Sequence, residues 1–427
     1  MTLLNFKIRS IKKIAINFSF RSFLNILSRL FGLITFPIVA RAFGPELYGN
    51  YSIVLLITQY AILPVGLLGL RTYGIRELSQ GNEIKKEVIV NGIISEQFIA
   101  SVIIYIVVSF LILYIFIDSI LMTTATLIAL MALFNYALNL EFYFIAIKDL
   151  VFPTISIFVG QMLFVLGIIF FVTNKSDFIT VVILYTLSTL IPNIIMYLKY
   201  IKKYKIKIVW SIKNIWSRFK KTYKIGISVN IESLLTSIPI FILSIIGSSY
   251  LLGQYYASFK ILSVFIPIYI TLFYSLAPYL VKISHFDMNQ KYKIILLMLI
   301  LIILFNTIIC GLLFVFGGEL LVYLIGPEFS ESKQLFESLT ILVMTIYPVY
   351  MFFGNVLIFF SNEKFYMYSL LIAVLVAIIA TPILVDTYQA FGAVLSLSIS
   401  LIIATIFSII FLVYSEKVRI PQQVSNE

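Results

Sequence analysis

Long apolar runs, separated by short polar loops, follow one another along the whole chain. A helix needs about 20 apolar residues to cross the hydrocarbon core of a bilayer. The runs are continuously apolar and do not alternate with the period of two that a membrane β-barrel requires. Helices are therefore predicted, because they satisfy backbone polar groups within each segment. Twelve spans are predicted, at 18–40, 51–70, 89–117, 119–147, 151–173, 179–198, 225–247, 254–280, 294–316, 339–361, 365–385 and 392–414.

The distribution of lysine and arginine predicts which way these spans point. Of the 31 such residues, 26 fall on one set of alternate loops, and ten of those lie between residues 199 and 224. The loops on the other side hold only Arg41, Lys175 and Lys333. An excess of lysine and arginine marks cytoplasmic loops. Both termini are therefore predicted to be cytoplasmic.

The composition agrees with a membrane protein and excludes several other classes. Hydrophobic residues make up 61% of 427 and charged residues 12%, whereas soluble domains are nearer half and a quarter. The net charge of +12 follows from the cytoplasmic loops and their attraction to anionic lipid headgroups, so no nucleic-acid partner is predicted. With one cysteine, Cys310, and one histidine, His285, the chain offers no metal-ligand cluster or nucleophile–histidine arrangement. No cofactor, metal site or catalytic site is predicted.

An internal repeat divides the chain into two halves. The basic segment 199–224 separates a predicted N-lobe (1–198) from a C-lobe (225–427), with six spans in each. Residues in the first half match residues about 203 positions later, namely Pro37 with Pro239, Gly44 with Gly247, Gly49 with Gly253 and Pro64 with Pro267. Six spans per half make a parallel repeat, and transporters of this kind place the substrate site between the halves. The four prolines are predicted to kink or interrupt their helices.

Five charged residues lie well inside predicted spans, where each costs roughly 2.5–3.5 kcal/mol. They are Arg29, Glu96, Glu141, Glu232 and Lys260. The first helix carries Arg29 on a polar stripe with Asn25, and the seventh helix carries Glu232 on a similar stripe. These stripes either line a water-filled substrate cavity or join the halves through an Arg29–Glu232 ion pair. A carboxylic acid removed from water is also a candidate to carry a coupling proton, which applies to all three glutamates.

Two further features suggest substrate contacts. Arg71 and Arg76 lie beside glycines after the second span. They either bind a phosphate bidentately or serve as ordinary cytoplasmic anchors. Most of the 27 tyrosines and 38 phenylalanines are expected at the membrane interfaces or facing lipid. Tyr143, Tyr269 and Tyr274 are candidates to stack on sugar, because they lie near polar spans.

Three motifs give the chain a resemblance to a known family. The segment ARAFGPELYGNYS at 40–52 resembles the signature that opens Wzx-type polysaccharide flippases. The segment GLRTYGIRE at 69–77 is similar to the cytoplasmic motif that follows, and LIGPEF at 324–329 is similar to a short extracytoplasmic helix before the tenth span. The twelve-span pattern extends the resemblance over essentially the whole chain.

The resemblance implies the fold of multidrug, oligosaccharidyl-lipid and polysaccharide exporters, a MATE-like V of two lobes. It implies transfer of an undecaprenyl-diphosphate-linked oligosaccharide, commonly an O-antigen repeat unit, from the cytoplasmic to the outer leaflet of the bacterial inner membrane. A polymerase and a chain-length regulator are implied as partners. The cationic lumen of the family maps onto Arg29, Arg71, Arg76 and Lys260, with Asn25 beside them. Glu232 departs from that basic pattern.

Three other functions stay open at this point. A drug or cation antiporter of the same fold would favour an acidic, aromatic pocket. A membrane-embedded polysaccharide polymerase or ligase, which would be an enzyme, would need an outward-facing catalytic site, usually on a large outer loop. Here the outer loops are short and hold few ionisable residues. A lipid-binding scaffold that transports nothing is the third.

Overall fold

The structure is a computed structural model that describes residues 2–80, 83–202, 212–283, 286–360 and 363–424, and most of these residues lie in helices. No strand occurs within these ranges. Nine helical stretches within them are long and apolar enough to cross a membrane. Several of these stretches contain an internal break, among them the two that are interrupted at Gly44 and at Gln389. The predicted all-α, multi-pass membrane fold is confirmed. The number of twelve spans and the cytoplasmic position of both termini stay predictions.

The chain folds into two compact units. The first comprises Met1–Phe43 and Asn50–Asn230, and the second comprises Gly44–Gly49 and Ile231–Glu427. Residues 203–211 of the predicted basic linker lie outside the described ranges. The predicted lobe limits at 198 and 225 stay predictions.

The first unit is built from eight helices and the start of a ninth. They are α1 (Thr2–Leu67, apart from Gly44–Gly49), α2 (Leu70–Gln80), α3 (Glu83–Ile115), α4 (Ile120–Leu130), α5 (Ala132–Ala137), α6 (Glu141–Ala146), α7 (Val151–Phe171), α8 (Phe178–Ile201) and α9 (Ile212–Ile246) as far as Asn230.

Helix α1 covers both of the first two predicted spans and is broken at a glycine. Gly44 adopts φ 70° and ψ 173°, a conformation that costs glycine little because it has no β-carbon. The dihedral angles leave the helical range at Gly44 and stay helical at Pro37. The break therefore lies within the segment 41–50 that was expected to be a loop, and the kink expected at Pro37 stays a prediction.

Small residues and a buried polar network hold α7, α5 and α8 together. Gly160 of α7 lies against the Ser188 carbonyl of α8, and a β-carbon there would come within 2.5 Å of that oxygen. Such close approach is typical of helix pairs in membranes. The buried Asn135 side chain donates to Thr189 Oγ1 at 2.8 Å, and Asn193 donates to the Asn135 carbonyl at 2.6 Å. These bonds satisfy both amide nitrogens, which would otherwise be costly in the membrane interior.

The second unit contains the rest of α9 and six more helices. They are α10 (Ser249–Leu262), α11 (Phe265–Ile283), α12 (Met288–Ile325), α13 (Ser332–Ile341), α14 (Tyr347–Phe359) and α15 (Glu363–Val424). A 3₁₀ turn at Pro327–Phe329 follows α12 within the LIGPEF motif, and its Phe329 is buried.

Three interruptions of regular α-helix stand out in the described part of the second unit. The chain leaves the helix between α10 and α11, shortly before Pro267. A π-helical turn at Leu342–Ile346 joins α13 to α14 directly before Pro348, and this wider turn accommodates the proline ring and its missing N–H. Gln389 divides α15 with φ 52° and ψ −127°. A left-handed φ is uncommon for a residue with a β-carbon and is usually held by its surroundings.

Two glycines that the internal repeat relates meet each other in the second unit. A β-carbon on Gly49 would overlap the Ser249 carbonyl oxygen, and one on Gly253 would overlap the Pro45 carbonyl oxygen. The backbones of Gly44–Gly49 and of α10 are therefore in direct contact. Only residues without a side chain permit this separation.

Large apolar side chains cover the outside of helices α3 and α12. Ile103, Phe110 and Tyr114 on α3 are 57%, 70% and 81% exposed, and Phe305 and Ile308 on α12 are 64% and 67% exposed. A continuous apolar surface of this extent is unfavourable in water and suits lipid.

Replacing either contact glycine by alanine should destabilise the protein by about 1–3 kcal/mol, since the added methyl group has no space. Gly49→Ala and Gly253→Ala are expected to lower the melting temperature of the detergent-solubilised protein. Gly32→Ala and Gly311→Ala are matched controls, because a β-carbon at either meets nothing within 4 Å. The controls should melt at or slightly above the parent, since alanine favours a helix. Equal melting temperatures for all four variants would show that the backbone contact is absent.

Candidate functional site

Six of the eight predicted site residues have described side chains. Arg71, Arg76, Glu96 and Glu141 belong to the first unit, and Glu232 and Lys260 to the second. Asn25 and Arg29 lie in α1, but their side chains are outside the described part of the structure. The predicted roles of Asn25 and Arg29, including the Arg29–Glu232 pair, therefore stay predictions.

Arg71 is held against α5 by its guanidinium group. The Arg71 Cζ atom lies 3.5 Å from the centroid of the Tyr136 ring, and Nη2 donates a hydrogen bond to the Tyr136 carbonyl oxygen. The Glu141 carboxylate attracts the same charge electrostatically. Stacking of arginine on an aromatic face is favourable, most of all where water is scarce.

One buried hydrogen-bond donor of Arg71 is not used by these contacts. The Nε atom is buried and has no hydrogen-bond partner among the described residues. An arginine offers five N–H donors in a rigid plane, which suits carboxylate or phosphate oxygens. Tyr136 thus orients the guanidinium plane of Arg71 and Glu141 stabilises its positive charge, and not all of its N–H donors are used.

Arg76 lies on the same helix as Arg71 but in a different setting. The segment is helical over Leu70–Gln80, and Arg76 is exposed where Arg71 is half-buried. Residues five apart on an α-helix are separated by about 140° around its axis. The phosphate contact predicted for the two arginines, whether joint or separate, stays a prediction.

Helix α3 carries a buried polar group of four residues in its first half. Asn91, Ser95, Glu96 and Gln97 are each at most 5% exposed. The Ser95 hydroxyl donates to the Asn91 carbonyl at 2.7 Å, which satisfies it within the helix. Glu96, predicted as a site residue, is therefore one member of a larger polar set.

Gln97 is the unusual member of this set. Its side chain is fully buried, and neither its oxygen nor its nitrogen has a hydrogen-bond partner in the described ranges. Each unsatisfied buried polar group costs about 1–3 kcal/mol. Such a cost in a native protein requires an explanation, and contact with a polar substrate is one that a transporter can supply.

Glu232 is surrounded by tyrosines in the second unit. The Tyr366 hydroxyl donates to Glu232 Oε2 at 3.5 Å, and the Tyr350 and Tyr366 hydroxyls lie 3.3 Å apart. Gly354 makes room for this arrangement, because a β-carbon there would come within 2.6 Å of the Tyr366 ring. The carboxylate thus has phenol donors in reach, and phenols can pass a proton along a hydrogen-bonded chain.

The remaining candidates have diverse surroundings. Lys260 is exposed in the last turn of α10. Tyr143 packs in a buried cluster of the first unit, and Tyr269 is buried and donates to Asn306 Oδ1 at 2.5 Å. The suggestion that these two tyrosines stack on sugar is wrong, because their rings are covered by protein. The side chain of Tyr274 is outside the described part.

Sequence reasoning missed Gln97 and the tyrosines around Glu232. Gln97 had a visible signal, since it directly follows Glu96 within an apolar span. Tyr350 and Tyr366 had none, because they lie more than 100 residues from Glu232 and among many other tyrosines.

Replacing Gln97 by leucine should stabilise the fold, since it removes two unsatisfied polar atoms at similar volume. We expect a gain of about 1–3 kcal/mol, seen as a higher melting temperature. Asn135→Leu is the matched control, because that amide is equally buried but hydrogen-bonded, and it should melt lower than the parent. A drop in stability for Gln97→Leu would show that its amide has partners after all.

A family model described as "Polysaccharide biosynthesis protein" matches residues 14–284 of the chain. No curated protein matches it significantly by sequence.

Solved structures show the same fold at low identity. The lipid II flippase MurJ in an inward closed conformation superposes with a TM-score of 0.72 at 15% identity, over 92% of this chain and 87% of that one. An inward-facing multidrug resistance MATE transporter of the MOP superfamily gives 0.63 at 13% identity, over 91% and 96%. The eukaryotic MATE transporter AtDTX14 gives 0.61 at 13% identity, over 95% and 96%.

These structural likenesses confirm the predicted MATE-like fold, since each covers nine-tenths or so of both chains. The family match extends over more than half of the 427 residues, from the first helix to the end of α11. The chain belongs to the polysaccharide biosynthesis protein family and has the fold shared by MurJ and MATE transporters.

Proposed function

We propose that this protein is a flippase for an undecaprenyl-diphosphate-linked oligosaccharide. It acts as a transporter and not as an enzyme, and moves its cargo from the cytoplasmic to the outer leaflet of the bacterial inner membrane by alternating access. The observation that carries the proposal is the family match over residues 14–284. A polysaccharide biosynthesis protein built as a transporter has one evident task, which is to carry saccharide across the membrane.

The fold comparison favours a lipid-linked cargo over a drug or cation. The chain superposes on the lipid II flippase MurJ with a TM-score of 0.72, which is higher than the 0.63 and 0.61 found for two MATE transporters. A drug or cation antiporter of the same fold remains the second candidate. The acidic, tyrosine-rich surroundings of Glu232 favour it locally.

The cargo explains why polar groups lie in the spans. A diphosphate is charged and a glycan carries many hydroxyls, so neither crosses hydrocarbon without a polar path. Buried and incompletely bonded groups such as Arg71 Nε and Gln97 supply hydrogen-bonding capacity that such a headgroup can use. The prenyl tail stays in lipid, since it is as apolar as the membrane core.

Each predicted cation has a place in the proposed transport path. Arg71 and Arg76 recruit the diphosphate at the cytoplasmic mouth, and Arg29 with Asn25 receives it in the inward-facing cavity. Lys260 then draws it outward. The rigid stacking of Arg71 on Tyr136 presents a fixed charge to the headgroup. Fixed groups lose little conformational entropy on binding.

Coupling to an ion is assigned to the buried glutamates. Glu232 is the preferred candidate, because Tyr366 and Tyr350 link it into a chain of exchangeable protons. Glu141 lies in the electrostatic field of Arg71 and is better suited to hold that arginine in place. Glu96 stays a further candidate. The O-antigen repeat unit as cargo, and a polymerase with a chain-length regulator as partners, belong to this proposal.

Cells that lack the gene should accumulate a single lipid-linked repeat on the cytoplasmic leaflet and lose the surface polysaccharide. A copy carrying Arg29→Ala should insert normally but fail to restore transport, because the diphosphate loses its cavity contact. Leaflet position is measured by accessibility of the labelled repeat in sealed vesicles. Arg41→Ala is the control, since it removes the same charge twelve residues further along α1, on the predicted outer side.

Other outcomes identify the alternatives. If cells that lack the gene carry single, unpolymerised repeats on the outer leaflet, the protein is a polymerase and not a flippase. Unchanged repeats together with lost resistance to cationic drugs would indicate an antiporter. Full transport by a normally expressed Arg29→Ala variant would show that Arg29 is not needed for transport, and the flippase proposal would still stand.

A further inference from the structure

The second unit contains a cavity of about 630 Å³ that is lined by both polar and apolar side chains. It lies where α10 begins, where α13 begins and where α15 is broken at Gln389. A cavity of this volume is in the range that holds a small-molecule ligand. None of the residues predicted as the transport site lines it, so its chemistry needs a separate explanation.

The floor of the cavity is fixed by a small hydrogen-bonded group. Gln254 is 1% exposed, and its amide nitrogen donates to Glu331 Oε2 at 3.3 Å. The Tyr250 hydroxyl donates to the same oxygen at 3.1 Å. Two donors thus orient the Glu331 carboxylate, while Glu331 itself is exposed at the cavity and can accept further bonds.

Aromatic rings and further amides complete the lining. Tyr388 and Phe391 lie on either side of the backbone break and are 57% and 37% exposed. Gln389 between them and Gln334 of α13 add two amides that both donate and accept. Rings with exposed faces next to carboxamides and a carboxylate offer apolar contact and hydrogen bonds at one place.

The charged side chains of the lining indicate which class of ligand the cavity can bind. Glu331 and Glu337 outnumber the single cation Lys333, which disfavours a phosphate or another anion. A purely apolar ligand would leave the amides and carboxylates without partners, at a cost. A sugar suits both parts of the lining, because its hydroxyls donate to carboxylates and exchange bonds with amides, while its C–H faces pack on aromatic rings.

We infer that this cavity is a binding site for the neutral sugars of the transported glycan, on the outer side of the membrane. The loops at 317–338 and 386–391 are on the side that the cation distribution predicts to be extracytoplasmic. The inference rests on the proposed flippase function for the identity of the glycan. The site retains the sugar headgroup after the cargo has crossed the membrane. It is separate from the cationic residues that are assigned to the diphosphate.

The inference is tested by binding to the full-length protein in lipid nanodiscs. The probe is the phosphate-free oligosaccharide released from the host's own lipid-linked repeat, titrated by calorimetry. Glu331→Leu and Tyr388→Ala should each weaken its binding about tenfold, as expected for the loss of a charged hydrogen bond or an aromatic contact. Tyr388→Ala changes an exposed residue, so it tests the site even where Glu331→Leu, which leaves Tyr250 and Gln254 without an acceptor, disturbs folding.

Matched controls lie on α12, close in sequence but outside the lining. Glu319→Leu removes an exposed carboxylate, and Tyr323→Ala removes a ring that is 77% exposed. Both should bind the oligosaccharide like the parent. The inference is overturned if the parent does not bind the probe, if the cavity variants bind as the parent does, or if the cavity binds tetraphenylphosphonium in preference to sugar.

The leaflet assay in the same variants separates the two proposals. Normal transport by a parent that does not bind the probe would reject the sugar site and leave the flippase intact. Binding that depends on Glu331 and Tyr388, in a protein that transports no lipid-linked repeat, would support the sugar site and reject the flippase.

Discussion

The structure depends on one constraint, which is that hydrocarbon offers no hydrogen bonds to a polar group. Every backbone amide inside the membrane must therefore find its partner within the protein, and each described segment does so as a helix. The same constraint applies to side chains. The Asn135 and Asn193 amide nitrogens satisfy it by donating to each other's helices, whereas neither polar atom of the Gln97 side chain has a partner among the described residues. Buried amides in this protein thus range from bonded groups that join helices to groups whose burial costs stability.

Breaks in the helices are tolerated only where local chemistry compensates for them. Gly44 needs no compensation for its φ of 70°, because glycine has no β-carbon. The π-helical turn at Leu342–Ile346 lies directly before Pro348, and this wider turn accommodates the proline ring and its missing N–H. Gln389 has a β-carbon and no neighbouring proline, so neither reason accounts for its left-handed φ. Its strained backbone lies in the lining of the cavity in the second unit. Strain at a non-glycine residue is commonly retained where a ligand site benefits from it.

The sequence predicted the class of fold well because hydropathy and the length of a span are local properties. Each predicted span coincides largely with described helix, and the fold comparison agrees with the resemblance carried by three short motifs. Predictions failed where the outcome depended on tertiary packing. Tyr143 and Tyr269 looked available for sugar, but their neighbours cover them. The separation of Arg71 from Arg76 became visible only once their segment was known to be helical.

The internal repeat shows how much such a pattern can and cannot establish. Gly49 and Gly253 were matched as equivalent positions, which says nothing about whether they touch. In the structure each lies against the backbone that carries the other, so both halves of the repeat need a glycine for the same steric reason. Glu232 shows the opposite case, since its repeat partner position holds Arg29, a residue of opposite charge. Positions that share a packing role keep their residue type in both halves. Under the proposed function, Arg29 and Glu232 contact different parts of an asymmetric, amphipathic cargo, and the same charge is therefore not expected at both positions.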